Sequence, residues 1–232
     1  MQEYVRGIEH NIESISYKGD TEVLTISDKI FPPFDYQYYN VETLNYPSTF
    51  SPRITDRITK AIIKAVGAIG VTLGPTHAEA IHNEEGPFII DIGARGGGGH
   101  IFSLIVNHVS GINAVQESVK IYLGEQPGNL KPQVQRGAVY RFFQCFKAGK
   151  VKQIRGVLEA KKMKNVADLE IQVEPGQILQ PLKTSTQRIG FAVITADTRE
   201  EAEEISNKVA HIVQIDIEPL NKKRDHSIDN GG

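Results

Sequence analysis

Four consecutive glycines restrict the fold of this 232-residue chain more than any other feature of its sequence. They lie in the segment DIGARGGGGH, residues 91–100, directly after the apolar run GPFII. Glycine loses more backbone entropy on folding than any other residue, so such a run destabilises a fold unless the structure requires it. The run therefore predicts a place where the backbone comes unusually close to another group.

The glycine run follows the second of two predicted antiparallel hairpins. In this hairpin HAEAI and PFIIDI are the strands, and HNEEG is the turn between them. The first hairpin covers residues 9–30, where apolar residues alternate on both sides of the turn sequence Gly19-Asp20. The two hairpins indicate a largely antiparallel sheet.

The rest of the chain predicts an α+β fold with helices beside that sheet. Residues 31–52, rich in Pro and Tyr, are expected to form a long ordered loop. A helix should then run from Pro52, capped by Ser51, to a stop at Gly70. Two further helices are expected after the glycines, in IFSLIVNHV and NAVQESVKIYLG.

From about residue 136 the pattern changes to short strands and one helix, which is capped by Thr198 and Glu201. We therefore predict two units, residues 1–135 and a smaller β-rich unit at 136–218. A polar tail, 219–232, should be frayed.

Charge and composition exclude several classes of protein. The net charge of −2 gives no overall positive field for nucleic acid or an anionic membrane surface. No apolar run approaches the roughly 20 residues of a membrane span, and the N-terminus lacks an apolar signal core. A single cysteine, Cys145, fits a reducing compartment and is predicted to be a buried structural thiol. These features predict a cytoplasmic protein.

Two carboxylates give the glycine run a possible purpose. Counting back from the second turn places Glu79 and Asp91 on adjacent strands, where they can share one face of the sheet. A divalent cation between them would relieve their repulsion, and the glycines would let backbone approach a bulky anion that Arg95 also contacts. The alternative is a glycine-rich hairpin end with solvated carboxylates. A dinucleotide-binding fingerprint fits less well, because no parallel strand follows.

The ordered motifs QEYVRGIEHNIE, ISDKI, YPSTFSP, THAEAI and DIGARGGGG resemble the C-terminal half of the ATP-grasp carboxylate–amine ligases. The likeness is greatest to the carbamoyl-phosphate-synthase-like and amino-acid-ligase-like branches. It is strong over roughly residues 2–125, and the rest resembles the family's β-rich C-terminal subdomain with weaker motifs.

The resemblance implies ATP and Mg²⁺ (or Mn²⁺) as cofactors, and small carboxylate and amine substrates joined through an acylphosphate. It also assigns the site: an adenine hinge, a ribose-binding acid, a phosphate-binding lysine, a metal pair and a residue for phosphoryl or substrate charge. In that order these are Glu3, Tyr4 and Val5; Glu9; Lys29; Glu79 and Asp91; and Arg95.

The sequence also departs from the family pattern. The second metal acid is the shorter Asp91, and Gly93 stands where many members have a ligating Asn. Family members carry a further substrate domain and a phosphate-gripping subdomain before the hinge, whereas this sequence starts at the hinge. We therefore expect a ligase half completed by self-association or by a separately encoded N-terminal half. The sequence is then a fragment, a split-gene product or a truncated frame.

A different class of function stays open, a non-catalytic binding or regulatory domain derived from the same fold. Among the histidines, His77 and His82 are interpreted as structural. For His100 a solvated loop position is favoured over a contact with substrate.

Overall fold

A computed structural model describes residues 3–32 and 40–220, and it confirms the predicted α+β architecture with an antiparallel sheet. The strands are β1 Ile8–Tyr17, β2 Asp20–Ile30, β3 Thr43–Tyr46, β4 Gly74–His82, β5 Pro87–Gly93, β6 Gly137–Phe143, β7 Gly149–Arg155, β8 Val166–Ile171, β9 Ile178–Leu179, β10 Gly190–Ala196 and β11 Gln214–Pro219. The α-helices are α1 Pro52–Ala68, α2 Val106–Ser110, α3 Ala114–Tyr122, α4 Val157–Lys161 and α5 Arg199–Ile212. A π-helical turn, Ile101–Ile105, leads into α2, and a 3₁₀ turn, Ser185–Gln187, precedes β10. No helix in these ranges is long and apolar enough to span a membrane.

Eight strands form one sheet in the order β5-β4-β1-β2-β3-β6-β10-β8, and every pairing in it is antiparallel. Both predicted hairpins, β1–β2 and β4–β5, are confirmed. A smaller sheet has the order β11-β7-β9. Strands on both sides of residue 135 belong to the large sheet, and the division into two units at that point stays a prediction.

The segment 31–52 is more structured than the loop expected from its sequence. Residues 43–46 form β3, which pairs with β2 on one side and β6 on the other. A four-residue strand is too short to show a reliable alternation, so the pattern of the sequence did not reveal it. Residues 33–39 of the expected loop and most of the expected frayed tail, 221–232, lie outside the described residues.

The helices cover the two faces of the sheet as amphipathic elements do. Helix α1 packs on one face, where Ile58 and Ile62 meet Ile12 of β1. Helices α2 and α3 cover part of the other face around Ile15. Alternate residues of β1 point to opposite faces, so one strand supplies both a core and a polar surface. That polar surface is where the candidate site lies.

A buried ion pair fastens helix α5 to the N-terminal hairpin. Arg199 Nη1 lies 2.5 Å from Asp28 Oδ2, and the same nitrogen donates to the carbonyl of Pro47 at 2.7 Å. Burial would raise the pKa of Asp28, but hydrogen bonds from His10, Ser48, Arg199 and Thr49 outweigh it and hold that pKa well below its usual range. The ionised pair thus joins distant parts of the chain.

We expect Arg199→Leu to lower the free energy of unfolding by about 3 kcal/mol, because it leaves the buried Asp28 carboxylate unpaired. The exposed pair Lys60–Asp56 provides a control, since Lys60→Ala should cost less than about 0.5 kcal/mol. Urea unfolding at neutral pH measures both. The depressed pKa of Asp28 means that its contribution is present above the unfolded-state value of about 3.9 and is lost as the pH falls below it. Equal, small effects of the two substitutions would contradict this account.

Candidate active site

A row of polar side chains crosses the face of the large sheet opposite α1. Asp91 pairs with Glu79, Glu79 pairs with Asn11, and Asn11 pairs with Ser27, each directly opposite its neighbour in register. Directly opposed residues place their side chains on the same face, with Cβ atoms roughly 5 Å apart. The placement of Glu79 and Asp91 on adjacent strands agrees with the pattern of the hairpin.

Lys29 is the central cation of this surface. Its Nζ lies 2.5 Å from Glu9 Oε1 and 2.9 Å from Glu79 Oε1. His77 Nε2 is 3.8 Å from the same oxygen of Glu79. The interactions with His77 and Lys29 outweigh burial and lower the pKa of Glu79 to about 2. Glu79 is therefore ionised at neutral pH.

Glu13, which is fully buried, connects β1 to the glycine run. One carboxylate oxygen accepts a hydrogen bond from His77 Nδ1, and the other accepts from the backbone N–H of Gly97 at 2.9 Å. A Cβ at residue 97 would lie 2.2 Å from Glu13 Oε1, so only glycine fits there. Burial would lower the pKa of His77, but Glu13 and Glu79 raise it to about 9. His77 therefore carries a positive charge at neutral pH.

Two more glycines of the run are required by close contacts. A Cβ at Gly96 would lie 2.4 Å from the Phe102 ring. Gly99 has a φ of +61°, and a Cβ there would lie 2.5 Å from Tyr140 Oη. At Gly98 a Cβ would meet nothing within 4 Å. Three of the four glycines are thus needed for packing, and the fourth faces open space.

That open space belongs to a cleft of about 400 Å³. Its acidic and basic lining residues are Lys29, His77, Glu79, Arg95 and Arg188. With His77 protonated, the lining carries four cations, and three acids contact them: Glu79 in the lining, Glu9 beside Lys29 and Glu13 beside His77. The remaining positive charge favours anions although the whole chain is slightly acidic. A larger cleft of about 510 Å³ lies beside β2 and has no charged lining residue. Of these two clefts, the smaller is therefore the one with charged lining residues.

The three residues predicted to form the adenine hinge, Glu3, Tyr4 and Val5, lie just before the first strand. Glu3 and Tyr4 are exposed and precede β1, and Val5 is half-buried. The segment is anchored nearby, because Asn83 Nδ2 donates to the carbonyl of Arg6 at 2.9 Å. The roles of these residues and of Glu9 stay predictions.

His100 is not a freely solvated loop residue, and the interpretation favoured from sequence was wrong. Its Nε2 lies 3.2 Å from Asp168 Oδ2, and its ring packs on Phe191. The histidine thereby ties the glycine run to β8 and β10. His82 packs against Phe50, and Cys145 is buried as expected.

Asp91, Glu79 and Asn11 place oxygen donors side by side in this row, which is the donor type that Mg²⁺ prefers. Among the described residues no group of three His, Cys, Asp or Glu side chains is placed to hold a metal. Mg²⁺ nevertheless needs only one or two carboxylates when phosphate oxygens and water complete its shell. The buried Asn11 Oδ1, beside Glu79 in the row, has no hydrogen-bond partner and is a further oxygen donor. The residues fit a magnesium–phosphate complex rather than a bare ion.

Sequence reasoning missed Asn11, Glu13 and Arg188. Asn11 and Glu13 lie two and four positions after Glu9 on β1, so their side chains point to the same face of the sheet. Continuing this alternation from Glu9 could have identified them. Arg188 lies 89 positions beyond Gly99, the last glycine of the run, and no local pattern links it to the site.

The glycine contacts lead to a paired prediction. Gly97→Ala should lower the free energy of unfolding by about 1–3 kcal/mol, because its methyl group overlaps the Glu13 carboxylate. Gly98→Ala should be neutral or slightly stabilising, because its φ is negative and its surroundings are open. Chemical unfolding of both variants tests this, and similar losses at both positions would refute it.

Part of the chain matches a known protein family model, and a longer part is similar to a known protein sequence. Residues 141–218 match the family model described as L-amino acid ligase C-terminal domain 2. The chain is also 26% identical over 182 residues to the uncharacterized protein y4rH of Sinorhizobium fredii, covering 78% of this chain and 38% of that protein.

Three solved structures are similar over almost the whole chain. L-amino acid ligase from Bacillus licheniformis superposes with a TM-score of 0.80 at 24% identity, covering 94% of this chain and 53% of that one. Phosphoribosylglycinamide synthetase from Anaerococcus prevotii gives 0.77 at 16%, covering 93% and 55%. Biotin carboxylase from Campylobacter jejuni, solved as a complex with β,γ-ATP, gives 0.67 at 16%, covering 94% and 48%.

The chain thus spans about half the length of these solved structures. The likeness is one of fold, and it covers 93% or 94% of this chain in each case. The chain has the ATP-grasp fold, which is the fold that its motifs indicated.

Proposed function

We propose that this chain supplies the nucleotide-phosphate and metal half of an ATP-dependent carboxylate–amine (or thiol) ligase site. The observation that carries the proposal is the cleft itself, which is lined by Lys29, Arg95, protonated His77 and a single acid, Glu79. Such a cleft attracts the phosphates of ATP and a substrate carboxylate, which are the two anions that a ligase of this kind brings together.

The carboxylates Glu79 and Asp91 are proposed to hold Mg²⁺, with the amide oxygen of Asn11 as a further donor. The metal would supply neutralisation of the charge on the nucleotide phosphates. Lys29 is then shared between Glu9 and Glu79, and it keeps both acids oriented toward the cleft. Glu9 is proposed to accept hydrogen bonds from the ribose hydroxyl groups, and residues 3–5 are proposed to contact the adenine.

The proposed reaction is the one that the resemblance to the ATP-grasp ligases implies. An oxygen of the substrate carboxylate attacks the γ-phosphorus of ATP, the bond to ADP breaks, and an acylphosphate forms. The amine then attacks the acyl carbon, and inorganic phosphate leaves with the bonding electron pair. Lys29 and Arg95 are proposed to stabilise the charge that develops on the transferred phosphoryl group. No covalent intermediate with the protein is required.

The backbone of the glycine run has a defined part in this proposal. Glu13 holds the N–H of Gly97, and Tyr140 packs against Gly99, so the run has little freedom to move. Gly98 leaves the wall of the cleft open where a side chain would otherwise project. A preorganised backbone at a phosphate site costs little further ordering when the ligand binds.

The activity of a whole ligase remains a proposal, because the solved relatives are about twice as long as this chain. We propose that small carboxylate and amine substrates meet in this cleft. A second copy or a separate partner is proposed to complete the nucleotide site. A non-catalytic binding domain is favoured instead by one observation, since the Glu79 carboxylate is already engaged by Lys29 and His77.

Paramagnetic Mn²⁺ distinguishes these possibilities even when nucleotide binds weakly. With Mn²⁺ and ADP present, amide resonances of residues 77–79 and 91–93 should broaden before others in the chain. The double variant Glu79→Gln, Asp91→Asn should weaken this effect at least about tenfold, since each substitution replaces a negatively charged ligand with a neutral amide.

Asp56→Asn serves as the matched control, because Asp56 is an exposed acid on α1, a helix of the opposite face. It should leave the Mn²⁺ effect unchanged. Broadening that is centred elsewhere, or that survives the double substitution, would refute the metal assignment and favour the non-catalytic domain.

A further inference from the structure

Arg188, which lies in the C-terminal part of the chain, contributes its guanidinium to the cleft. It differs from other arginines of that part, which pair with acids. Arg141 pairs with Glu42 at 3.0 Å, and Arg199 pairs with Asp28 and with Glu203 at 2.7 Å. No carboxylate among the described residues lies within ion-pair distance of Arg188. A partly buried cation of this kind is costly unless something compensates it.

The contacts of Arg188 hold it in place but leave most of its donors unused. Its guanidinium carbon lies 3.6 Å from the centroid of the Phe142 ring, which is stacking distance. Within the described part of the chain, Nη2 donates one long hydrogen bond, 3.5 Å, to the carbonyl of Val41, and Nε is buried without a partner. Burial lowers the pKa of Arg188, yet an arginine stays charged. The planar fork is therefore fixed and unsatisfied.

Arg188 also lies in the right place to meet a ligand. It lines the same cleft as Lys29, Glu79 and Arg95, and it approaches from the segment before β10 rather than from the hairpins. Arg95, at the other side, donates to the carbonyl of its neighbour Gly96 at 3.0 Å, and no carboxylate of the described ranges lies within ion-pair distance of it. The cleft thus presents guanidinium groups from two separate parts of the sheet.

We propose that Arg188 is a binding residue for an oxyanion of the ligand in this cleft, either an organic carboxylate or a phosphate group. Guanidinium groups bind both through two parallel N–H donors, and stacking on Phe142 keeps the fork oriented before the anion arrives. The inference rests on the proposed function only in taking this cleft as the reaction site. It gives a ligand a third anchoring residue in addition to Lys29 and Arg95.

The test titrates acetate and, separately, inorganic phosphate into the chain without nucleotide or metal, at constant ionic strength. Backbone amide shifts of Ser185 and Gly99, two residues of the cleft, report binding. We expect a saturable shift in the wild type, and Arg188→Gln should raise its midpoint at least about tenfold. Arg53→Gln, which removes an exposed arginine on α1, should leave the midpoint unchanged.

The outcomes separate the alternatives. Tighter acetate binding assigns Arg188 to a substrate carboxylate, and tighter phosphate binding assigns it to the phosphoryl group. Arg188→Lys keeps the positive charge but loses the planar pair of N–H donors, so it should weaken binding by a smaller factor than Arg188→Gln. It provides the test if Arg188→Gln does not fold. No saturable shift in the wild type, or the same midpoint in Arg188→Gln and Arg53→Gln, would overturn the proposal. Because metal and nucleotide are left out, the result does not depend on the Mn²⁺ experiment.

Discussion

The buried carboxylate of Glu13 is the interaction on which the rest of the site depends. It has no solvent exposure, and it uses one oxygen for His77 and the other for the backbone of Gly97. A buried charge is stable only when it is paired and hydrogen-bonded, and both partners are present here. The same carboxylate explains why residue 97 is glycine and why His77 is protonated beside Glu79.

The layout of the site follows from the period of the β-strand. On β1 the residues Glu9, Asn11 and Glu13 lie on the face of the sheet that carries the cleft, and Asn11 lines it, whereas Ile12 faces the core under α1. The partner strands continue the polar rows, with Asn11 opposite Glu79 and Glu13 opposite His77. A slip of one residue in this register would bury the site and expose the core, so core packing also fixes the chemistry.

Much of the fold could be predicted from the sequence because its signals are local. Alternation and turn residues identified both hairpins, and Ser51-Pro52 marked the start of α1. The strand β3 was missed because it is short, and its pairing with β6 depends on residues about 100 positions away. The joining of β6, β10 and β8 to the large sheet is a similar long-range outcome that no window of sequence contains.

The same distinction applies to the site. The pairing of Glu79 with Asp91 could be counted from a turn, and the four glycines indicated a close approach. Which glycines matter could not be predicted, because Phe102, Glu13 and Tyr140 reach the run from three different elements. The state of Arg188 is likewise a property of the folded chain, since only the structure shows that no carboxylate of residues 3–32 and 40–220 lies within ion-pair distance of it.

Hydrogen exchange of the Gly97 amide tests the central role of Glu13 most directly. The buried acceptor should make this amide exchange slowly in the wild type. In Glu13→Ala we predict that its exchange accelerates at least about tenfold relative to the Val193 amide of β10, which marks global unfolding. Glu22→Ala, on the neighbouring strand, should leave that ratio unchanged. A Gly97 amide that keeps its rate relative to Val193 after Glu13 is removed would contradict the account.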